Sequence, residues 1–172
     1  MANHGGCLPT TFPEVRALPG IGRYTAGAIL SISLGLRHPI VEANTIRLFA
    51  RLLHVSTEVT ATRTQKQFWE FATWILPHKH LSDFNQALME VGSLICTPKS
   101  PACDECPLRT LCPTFVSQAF DKIPKPKQKT KSEQVQEVAV VVQHRDGHPV
   151  LLRQCQADQR WAGLWDFPRF AC

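Results

Sequence analysis

Apolar residues recur with a helical period over the first two thirds of the chain. Between residues 10 and 120 they stand mostly three or four positions apart, which is typical of amphipathic helices. Thr10 and Thr11 are suitable N-caps for a first short helix that runs to Ala17. Four longer helices are predicted, over residues 23–34, 42–53, 62–76 and 84–96. Gly35 is the expected C-cap of the first, and Ser82 or Asp83 is the expected N-cap of the last. The helix over 62–76 should carry four apolar side chains on one face: Phe68, Phe71, Trp74 and Ile75.

The period changes to two after residue 134. Residues 135–144 and 149–154 are predicted strands, joined by a turn at 145–147 and followed by RWAGLWDFP at 160–168. Two strands and a loop do not bury a core alone, so we expect this region to be the start of a domain that continues elsewhere. The helical region likewise opens without a helix before Thr10.

Positive charge is concentrated between these two patterns. Residues 122–131 hold five lysines, two prolines and no acid, and the rest of the 172-residue chain is neutral overall. This composition is typical of a solvated, extended linker, although the segment could also contact a polyanion. No run of 18 apolar residues and no secretory signal is present, so we expect no membrane partner and, in a bacterium, a cytoplasmic location.

Four of the seven cysteines lie within 17 residues and form a C-x6-C-x2-C-x5-C motif: Cys96, Cys103, Cys106 and Cys112. In a chain without an export signal this crowding predicts a metal site rather than disulfides. Four thiolates at such spacing suit either tetrahedral zinc or a cubane iron–sulfur cluster. The other three cysteines show no ligand spacing.

A glycine-bearing turn separates the first two predicted helices. In the segment from Leu18 to Gly22, both Gly20 and Gly22 permit positive φ and close approach of another backbone. The next helix, which begins with Arg23 and contains Thr25, offers unpaired N–H groups that favour an anion. The pattern predicts a helix-hairpin-helix grip on a DNA phosphate, which positions DNA without reading its sequence.

The runs LPGIGRYTAGAILSISLG, PIVEANTIRLFARLL, DFNQALMEVGSLICTPKSPACDECPLRTLCP and RWAGLWDFP resemble the adenine DNA glycosylase (MutY) family over almost the whole chain. The resemblance implies a mainly α, helix-hairpin-helix glycosylase fold, and it selects a [4Fe-4S] cluster over zinc. It divides the chain into a partial glycosylase domain at 1–95, a cluster module at 96–120, a basic linker at 121–133 and, at 134–172, the start of an α+β Nudix-like domain that recognises 8-oxoguanine.

The same resemblance implies base-excision repair of double-stranded DNA by a monomeric enzyme that removes adenine opposite 8-oxoguanine or guanine. Endonuclease III-like lyases carry a lysine in GRKTA where this chain has Tyr24. Without that amine no Schiff base forms there, so a monofunctional glycosylase that uses water is expected. Tyr24 matches a tyrosine that lines the family's active site; the alternative is a core aromatic. Lys99 and Arg109 are either phosphate contacts or ordinary surface charges, and Trp161 and Trp165 are expected to pack rather than stack on bases.

The family's catalytic aspartate stands in a V-D-G-N sequence, which here is Val41-Glu42-Ala43-Asn44. A carboxylate at this place stabilises the positive charge that develops on the sugar, and Asn44 matches an asparagine that hydrogen-bonds around it. Glutamate keeps the charge, but its extra methylene displaces the carboxylate unless the side chain folds back, and such a displacement can cost on the order of 10²-fold in rate. The alternative is that Glu42 is only a favourable acid in the first turn of a helix.

The family's general acid lies upstream of the hairpin. Glu14 is the only acidic residue before Gly20, and we do not assign it that role. Two hypotheses follow: an adenine DNA glycosylase by descent, or a catalytically impaired DNA-binding iron–sulfur fragment. A lyase is disfavoured by Tyr24. Without further helices, the apolar faces of residues 23–34 and 62–76 are expected to be exposed.

Overall fold

The computed structural model describes residues 5–125, 134–147 and 149–171. The chain divides into two compact units, Met1–Gln128 and Lys129–Cys172. The first unit is built from α-helices, of which the structure describes α1 Phe12–Arg16, α2 Arg23–Ala28, α3 Ala43–Leu52, α4 Thr62–Ile75, α5 Leu81–Glu90 and α6 Pro113–Ser117. No described helix has the length and apolar character that crossing a membrane requires.

Two of the helices end in a widened turn. The π-helical segment Ile29–Ser33 continues α2, and Val91–Ile95 continues α5 as far as Cys96. Each predicted long helix over 23–34 and 84–96 is therefore present as an α-helix followed by a π-helical turn. Gly35 follows the first of them with φ of +63°, as expected of a residue that ends a helix in the left-handed region.

The core of the helical unit lies between α3, α4 and α5. Its fully or nearly fully buried apolar side chains are Val41, Leu48, Phe49, Ala50, Val55, Phe68, Ala72, Leu88 and Ile123. A smaller cluster of Val15, Ala26 and Leu30 joins α1 to α2. The main cluster includes Leu48, Phe49 and Ala50 of α3, so the helix that begins directly after Glu42 contributes directly to the core.

Two details of the helix predictions were wrong. Trp74 does not share the buried face of α4, since it is 80% exposed while Phe68 is fully buried. The N-cap of α5 is His80, in the left-handed region with φ of +54°, rather than Ser82 or Asp83. Asp83 instead lies in the first turn, with its carboxylate 3.5 Å from the His80 ring.

The second unit consists of short strands. Glu137–Ala139 (β1) pairs antiparallel with Arg169–Ala171 (β4), and Arg153–Gln154 (β2) pairs antiparallel with Trp165–Asp166 (β3). The predicted hairpin is present in part: the Leu151 N–H donates to the Val142 carbonyl at 2.9 Å, the His144 N–H donates to the Pro149 carbonyl at 3.1 Å, and Gly147 closes the turn with φ of +82°. The long strands predicted over 135–144 and 149–154 were wrong in extent, because successive stretches pair with different partners: 137–139 with 169–171, 142–144 with 149–151, and 153–154 with 165–166.

Candidate functional site

The hairpin follows α1 through two backbone hydrogen bonds. The Leu18 N–H donates to the Val15 carbonyl at 3.2 Å, and the Ile21 N–H donates to the Leu18 carbonyl at 3.1 Å. Gly20 has φ of +79°, which side-chain-bearing residues rarely adopt. Gly22 does not use the positive φ that glycine permits: it is the N-cap of α2 in extended conformation, with φ of −85°. A Cβ at either glycine would meet no atom within 4 Å, so both face open space that another molecule can approach.

Gly27 allows the hairpin helix to pack closely against the segment that leads to Glu42. A Cβ at Gly27 would lie 2.6 Å from the Pro39 carbonyl oxygen, so this approach of α2 requires glycine. The buried Asn85 of α5 strengthens the same junction, because its Nδ2 donates to Ser31 Oγ at 2.8 Å and to the His38 carbonyl at 3.0 Å. The hairpin and the Glu42 region are therefore held as one body.

Glu42 folds back onto the start of its own helix. Its Oε1 accepts hydrogen bonds from the backbone N–H groups of Asn44 and Thr45, both at 2.9 Å, while Thr45 Oγ1 accepts from the Glu42 N–H at 2.8 Å. This is a capping box with Glu42 as N-cap, so the residue precedes the first turn rather than lying in it. In this folded conformation the carboxylate is drawn back toward the backbone, as a side chain longer than aspartate requires if its carboxylate is to lie close to the start of the helix.

Asn44 is tied to the first cysteine through Arg47. The Arg47 Nη2 donates to Asn44 Oδ1 at 2.9 Å, and its Nε donates to the Cys96 carbonyl at 2.6 Å. The same Nη2 also bonds the Gly92 carbonyl. Burial lowers the pKa of Arg47, and the charges of Cys96 and Glu42 oppose that shift. One side chain thus links the candidate sugar-facing residues to the cysteine loop.

Gly92 allows the turn that leads to Cys96 to lie close to Asn44. A Cβ there would come within 2.9–3.0 Å of the carbonyl oxygen, carbonyl carbon and Cβ of Asn44. Two of these three atoms belong to the backbone at the first turn of α3, so they cannot swing aside as a long side chain does. The π-helical turn that carries Gly92 therefore packs directly on the element that holds Glu42 and Asn44.

The four motif cysteines line one common pocket together with the buried Arg51: Cys96, Cys103, Cys106 and Cys112. Arg51 is 1% exposed, and its guanidinium donates to Cys96 Sγ at 3.2 Å. It also donates to the backbone carbonyls of Thr97, Pro98 and Ile123 at 2.8–3.2 Å. The loop after Cys96 is therefore wrapped around a buried cation.

This donor set fits a metal cluster. Burial raises the pKa of the Cys103 thiol, and the neighbouring thiols of Cys96, Cys106 and Cys112 raise it further, while Arg51 acts in the opposite direction. Thiols that destabilise each other's ionised form are compensated by a shared cation. Across residues 5–125, 134–147 and 149–171, no three His, Cys, Asp or Glu side chains are grouped around a single-ion position. The four cysteines share the wall of a pocket instead.

The remaining predicted residues are placed as follows. The Tyr24 hydroxyl donates to Met89 Sδ at 3.4 Å and the ring is half-buried, so Tyr24 bridges α2 and α5. Thr25 and Leu18 are half-buried in the hairpin, whereas Lys99 is exposed on the cysteine loop. Arg23 is exposed, with its guanidinium carbon 3.7 Å from the centroid of the Trp69 ring.

Sequence reasoning missed Arg47, Arg51 and Gly92. A signal for the two arginines was present, because Asn44, Arg47 and Arg51 stand at positions i, i+3 and i+7 and therefore share a face of α3. Basic residues on an otherwise apolar helix, followed by a cysteine cluster, indicate buried donors to that cluster. No comparable signal identifies Gly92, since its need for glycine depends on the packing of a distant helix.

Comparison with known proteins matches both motifs. A family model described as a helix-hairpin-helix motif matches residues 4–32, and one described as the iron–sulfur binding domain of endonuclease III matches residues 96–112. The second match covers all four cysteines of the pocket and identifies their cofactor as a [4Fe-4S] cluster.

Solved structures share the helical fold. A thermostable thymine-DNA glycosylase is 30% identical, with a TM-score of 0.61 over 67% of this chain and 53% of that protein. A trapped covalent intermediate of endonuclease III with DNA is 25% identical, with a TM-score of 0.56 over 68% of this chain and 53% of that one. In its fold, hairpin and cysteine loop, the chain is similar to helix-hairpin-helix DNA glycosylases of the iron–sulfur class.

Within that class, the chain is homologous over most of its length to adenine DNA glycosylases. The enzyme of that name from Buchnera aphidicola (subsp. Schizaphis graminum) is 35% identical over 95% of this chain and 46% of its own length. The human adenine DNA glycosylase is 39% identical over 63% of this chain and 20% of its own length. The chain thus spans about half, or less, of the curated relatives it matches.

Proposed function

We propose that this chain acts in base-excision repair as the hairpin, carboxylate and cluster portion of an adenine-specific DNA glycosylase. The observation that carries this proposal is the Glu42 carboxylate, which is fixed at the start of α3 with one oxygen left over. Both backbone N–H groups of the cap donate to Oε1. Oε2 accepts no hydrogen bond from any residue within the described ranges, so it is available to a developing positive charge on a sugar.

The reaction assigned to the site is hydrolysis of an N-glycosidic bond. Glu42 Oε2 stabilises the oxocarbenium-like sugar, and Asn44 is held beside it by Arg47. Tyr24 supplies a hydroxyl rather than an amine at the start of α2, which supports a monofunctional enzyme with water as the nucleophile. When bound, the cluster would cross-link Cys96, Cys103, Cys106 and Cys112 and so close the loop that presents Lys99.

The proposed substrate is adenine opposite 8-oxoguanine or guanine in duplex DNA. The names of the relatives support the adenine. The exposed Gly20, Gly22, Arg23 and Lys99, with the half-buried Thr25 beside them, support contact with the backbone of the DNA. We assign the second unit to the start of a Nudix-like domain that contributes to reading 8-oxoguanine, from the resemblance of its sequence. A monomeric state and a cytoplasmic location belong to the same proposal.

A second candidate function is DNA binding without base excision. It is favoured by the capping role of Glu42, because a capping box alone explains a carboxylate at this place and contributes about 1 kcal/mol to helix stability. The two functions share the hairpin and the cluster. They differ in whether Glu42 Oε2 stabilises the positive charge on the sugar during base excision.

Single-turnover release of adenine from a duplex that contains adenine opposite 8-oxoguanine tests the proposal. The 172-residue chain is loaded with its cluster, and Glu42→Gln serves as the matched variant, because glutamine keeps an oxygen that can accept the cap hydrogen bonds. We expect release by the unaltered chain and a loss of about 10²-fold or more in Glu42→Gln, with little change in unfolding temperature. Duplex binding without release by the unaltered chain would establish the second candidate instead.

Tyr24→Lys tests the monofunctional assignment separately. An amine at this position, at the start of the hairpin helix, is expected to form a Schiff base with the sugar that borohydride reduction traps as a covalent protein–DNA adduct. The unaltered chain should give no adduct under the same conditions. A borohydride-dependent adduct from the unaltered chain would contradict the use of water as the nucleophile.

A further inference from the structure

A cleft between α2 and α4 lies outside the site described above. It is open, has a volume of about 700 Å³, and is lined by residues that include Arg23, Lys66, Trp69, Glu70 and Trp74. Its charge is mostly balanced within α4, because Lys66 Nζ lies 3.8 Å from a Glu70 carboxylate oxygen. The other cation of the cleft, Arg23, comes from the hairpin rather than from α4 and forms no ion pair with any residue that the structure describes.

The Arg23 guanidinium lies over the face of an aromatic ring. Its central carbon is 3.7 Å from the Trp69 ring centroid, a distance typical of a stacked cation–π pair. Stacking occupies the face of the guanidinium but not its edge, where all five N–H donors point outward in a fixed fork. Among the residues that the structure describes, none accepts a hydrogen bond from these donors.

The nearest charge that acts on Arg23 among the described residues is a positive one. Partial burial lowers the pKa of Arg23, and the like charge of Arg16 on α1 lowers it further. The two arginines on either side of the hairpin turn therefore make this edge of the helical unit attractive to an anion. The first turn of α4, at the mouth of the cleft, also lacks an acidic residue.

We propose that Trp69 is a positioning residue for DNA: it holds the Arg23 guanidinium so that the N–H edge binds a backbone phosphate of the duplex beside the hairpin. The proposal rests on the DNA-binding function proposed above and extends it to a residue of α4. A free arginine would lose rotational freedom when it binds a phosphate, whereas a stacked one has lost it already. Trp69 would thereby improve phosphate binding without itself contacting DNA.

The test measures binding of the cluster-loaded chain to an undamaged duplex oligonucleotide by fluorescence anisotropy over a series of salt concentrations. Each phosphate contact contributes about 0.9 to the slope of log affinity against log salt. We expect Arg23→Gln to reduce the slope by about 0.9 and to weaken binding roughly tenfold at low salt. Trp69→Leu should weaken binding in the same direction but by less, because the arginine can still reach the phosphate.

The double variant distinguishes positioning from an independent role. In the Arg23→Gln background, Trp69→Leu should cause no further loss, because the residue it positions is already absent. Arg63→Gln is the matched control: it removes one exposed positive charge from the same helix, at a residue that does not line the cleft. Its slope should equal that of the unaltered chain.

Three outcomes would overturn the inference. They are an unchanged slope in Arg23→Gln, an equal reduction in Arg63→Gln, and an additive loss in the double variant. If Trp69→Leu does not fold, Trp69→Phe retains an aromatic face and should keep most of the affinity, while Arg23→Gln still decides whether the phosphate contact exists. Failure of the unaltered chain to bind duplex at all would instead contradict the proposed DNA-binding function.

Discussion

The helical and strand units of this chain bury their apolar residues very differently. In the helical unit, Phe49 and Phe68 are fully buried, and α3 contributes Leu48, Phe49 and Ala50 to the main core cluster. In the strand unit, the apolar residues of the alternating segments are mostly exposed, with Val141 59% exposed and Phe170 58% exposed, and Cys155 is its only buried apolar residue among those the structure describes. Strand pairs two or three residues long hold local register, but they do not supply the tertiary surface that makes a core.

The comparison shows where stability and function coincide. The residues proposed to hold the sugar and the cluster all belong to the helical unit, and the two buried arginines of α3 that support them make contacts far along the chain. Arg51 reaches Ile123, 72 positions away, and Arg47 reaches Cys96, 49 positions away. In the strand unit the most connected polar residue, Arg169, bonds Asp166 three positions before it and lies near Glu137.

The largest effect is expected from Arg51→Ala. The change leaves the carbonyls of Thr97, Pro98 and Ile123 without their donor, and each buried orphan costs about 1–3 kcal/mol. We expect a loss of at least about 3 kcal/mol in the free energy of unfolding by urea, together with loss of the visible absorbance of the cluster. Arg109→Ala is the control, because its ion pair with Asp104 is largely exposed and should contribute less than about 1 kcal/mol. Equal losses in both variants would show that Arg51 is not the organising cation.

Helix positions and the cysteine motif could be predicted from the sequence, because both depend on residues close together in the chain. Apolar spacing identified α3 and α4, and the Cys96–Cys112 spacing identified the cluster loop. The errors arose where the position of a side chain or a cap depends on residues far away in the sequence. Trp74 follows the helical period of α4 but has no described element against it, and the N-cap of α5 is His80 although Ser82 and Asp83 have better capping propensity.

The candidate site was predictable only in part for the same reason. Glu42, Asn44 and Tyr24 could be nominated by resemblance, but the folded-back conformation of Glu42 depends on Thr45 completing the capping box. The stacking of Arg23 on Trp69 joins positions 46 residues apart in elements whose relative orientation no local pattern determines. Contacts between residues so far apart in the sequence can be predicted only once the fold is known.

A matched pair of phenylalanine truncations compares the two units directly. Phe68→Ala removes a fully buried ring and should lower the free energy of unfolding of the helical unit by about 3–5 kcal/mol. Phe170→Ala removes a ring that is 58% exposed and should cost less than about 1 kcal/mol. Urea unfolding followed by far-ultraviolet circular dichroism provides both values. A large loss in Phe170→Ala would mean that the strand unit has a packed core after all.

Glycine substitutions separate packing inside the helical unit from exposure at its surface. Gly92→Ala places a Cβ within 2.9–3.0 Å of Asn44 atoms and should destabilise the chain by about 1–3 kcal/mol through displacement of α3. Gly22→Ala places a Cβ in open space, with φ already in the ordinary range, and should cost only about 0.5–1 kcal/mol, because alanine is a poorer N-cap than glycine. If DNA approaches the hairpin backbone closely, Gly22→Ala should weaken duplex binding by more than this small loss of stability explains. Equal stability of the two variants would contradict the close packing of Gly92 on Asn44.

The smallest effect is expected in the strand unit, at Asp166. The hydrogen bond from Arg169 Nε, at 2.6 Å, lowers the pKa of the Asp166 carboxyl, and the Phe167 N–H acts in the same direction. Because the pKa in the folded state lies below the unfolded value, the stabilising contribution is present at neutral pH and is lost as pH falls through the lowered pKa. A carboxyl-detected NMR titration of the whole chain should show this shift, and Arg169→Gln should move the titration midpoint upward toward the ordinary value. An unshifted midpoint in the unaltered chain would mean that this pair does not order the β3–β4 connection in solution, which would widen the difference between the two units.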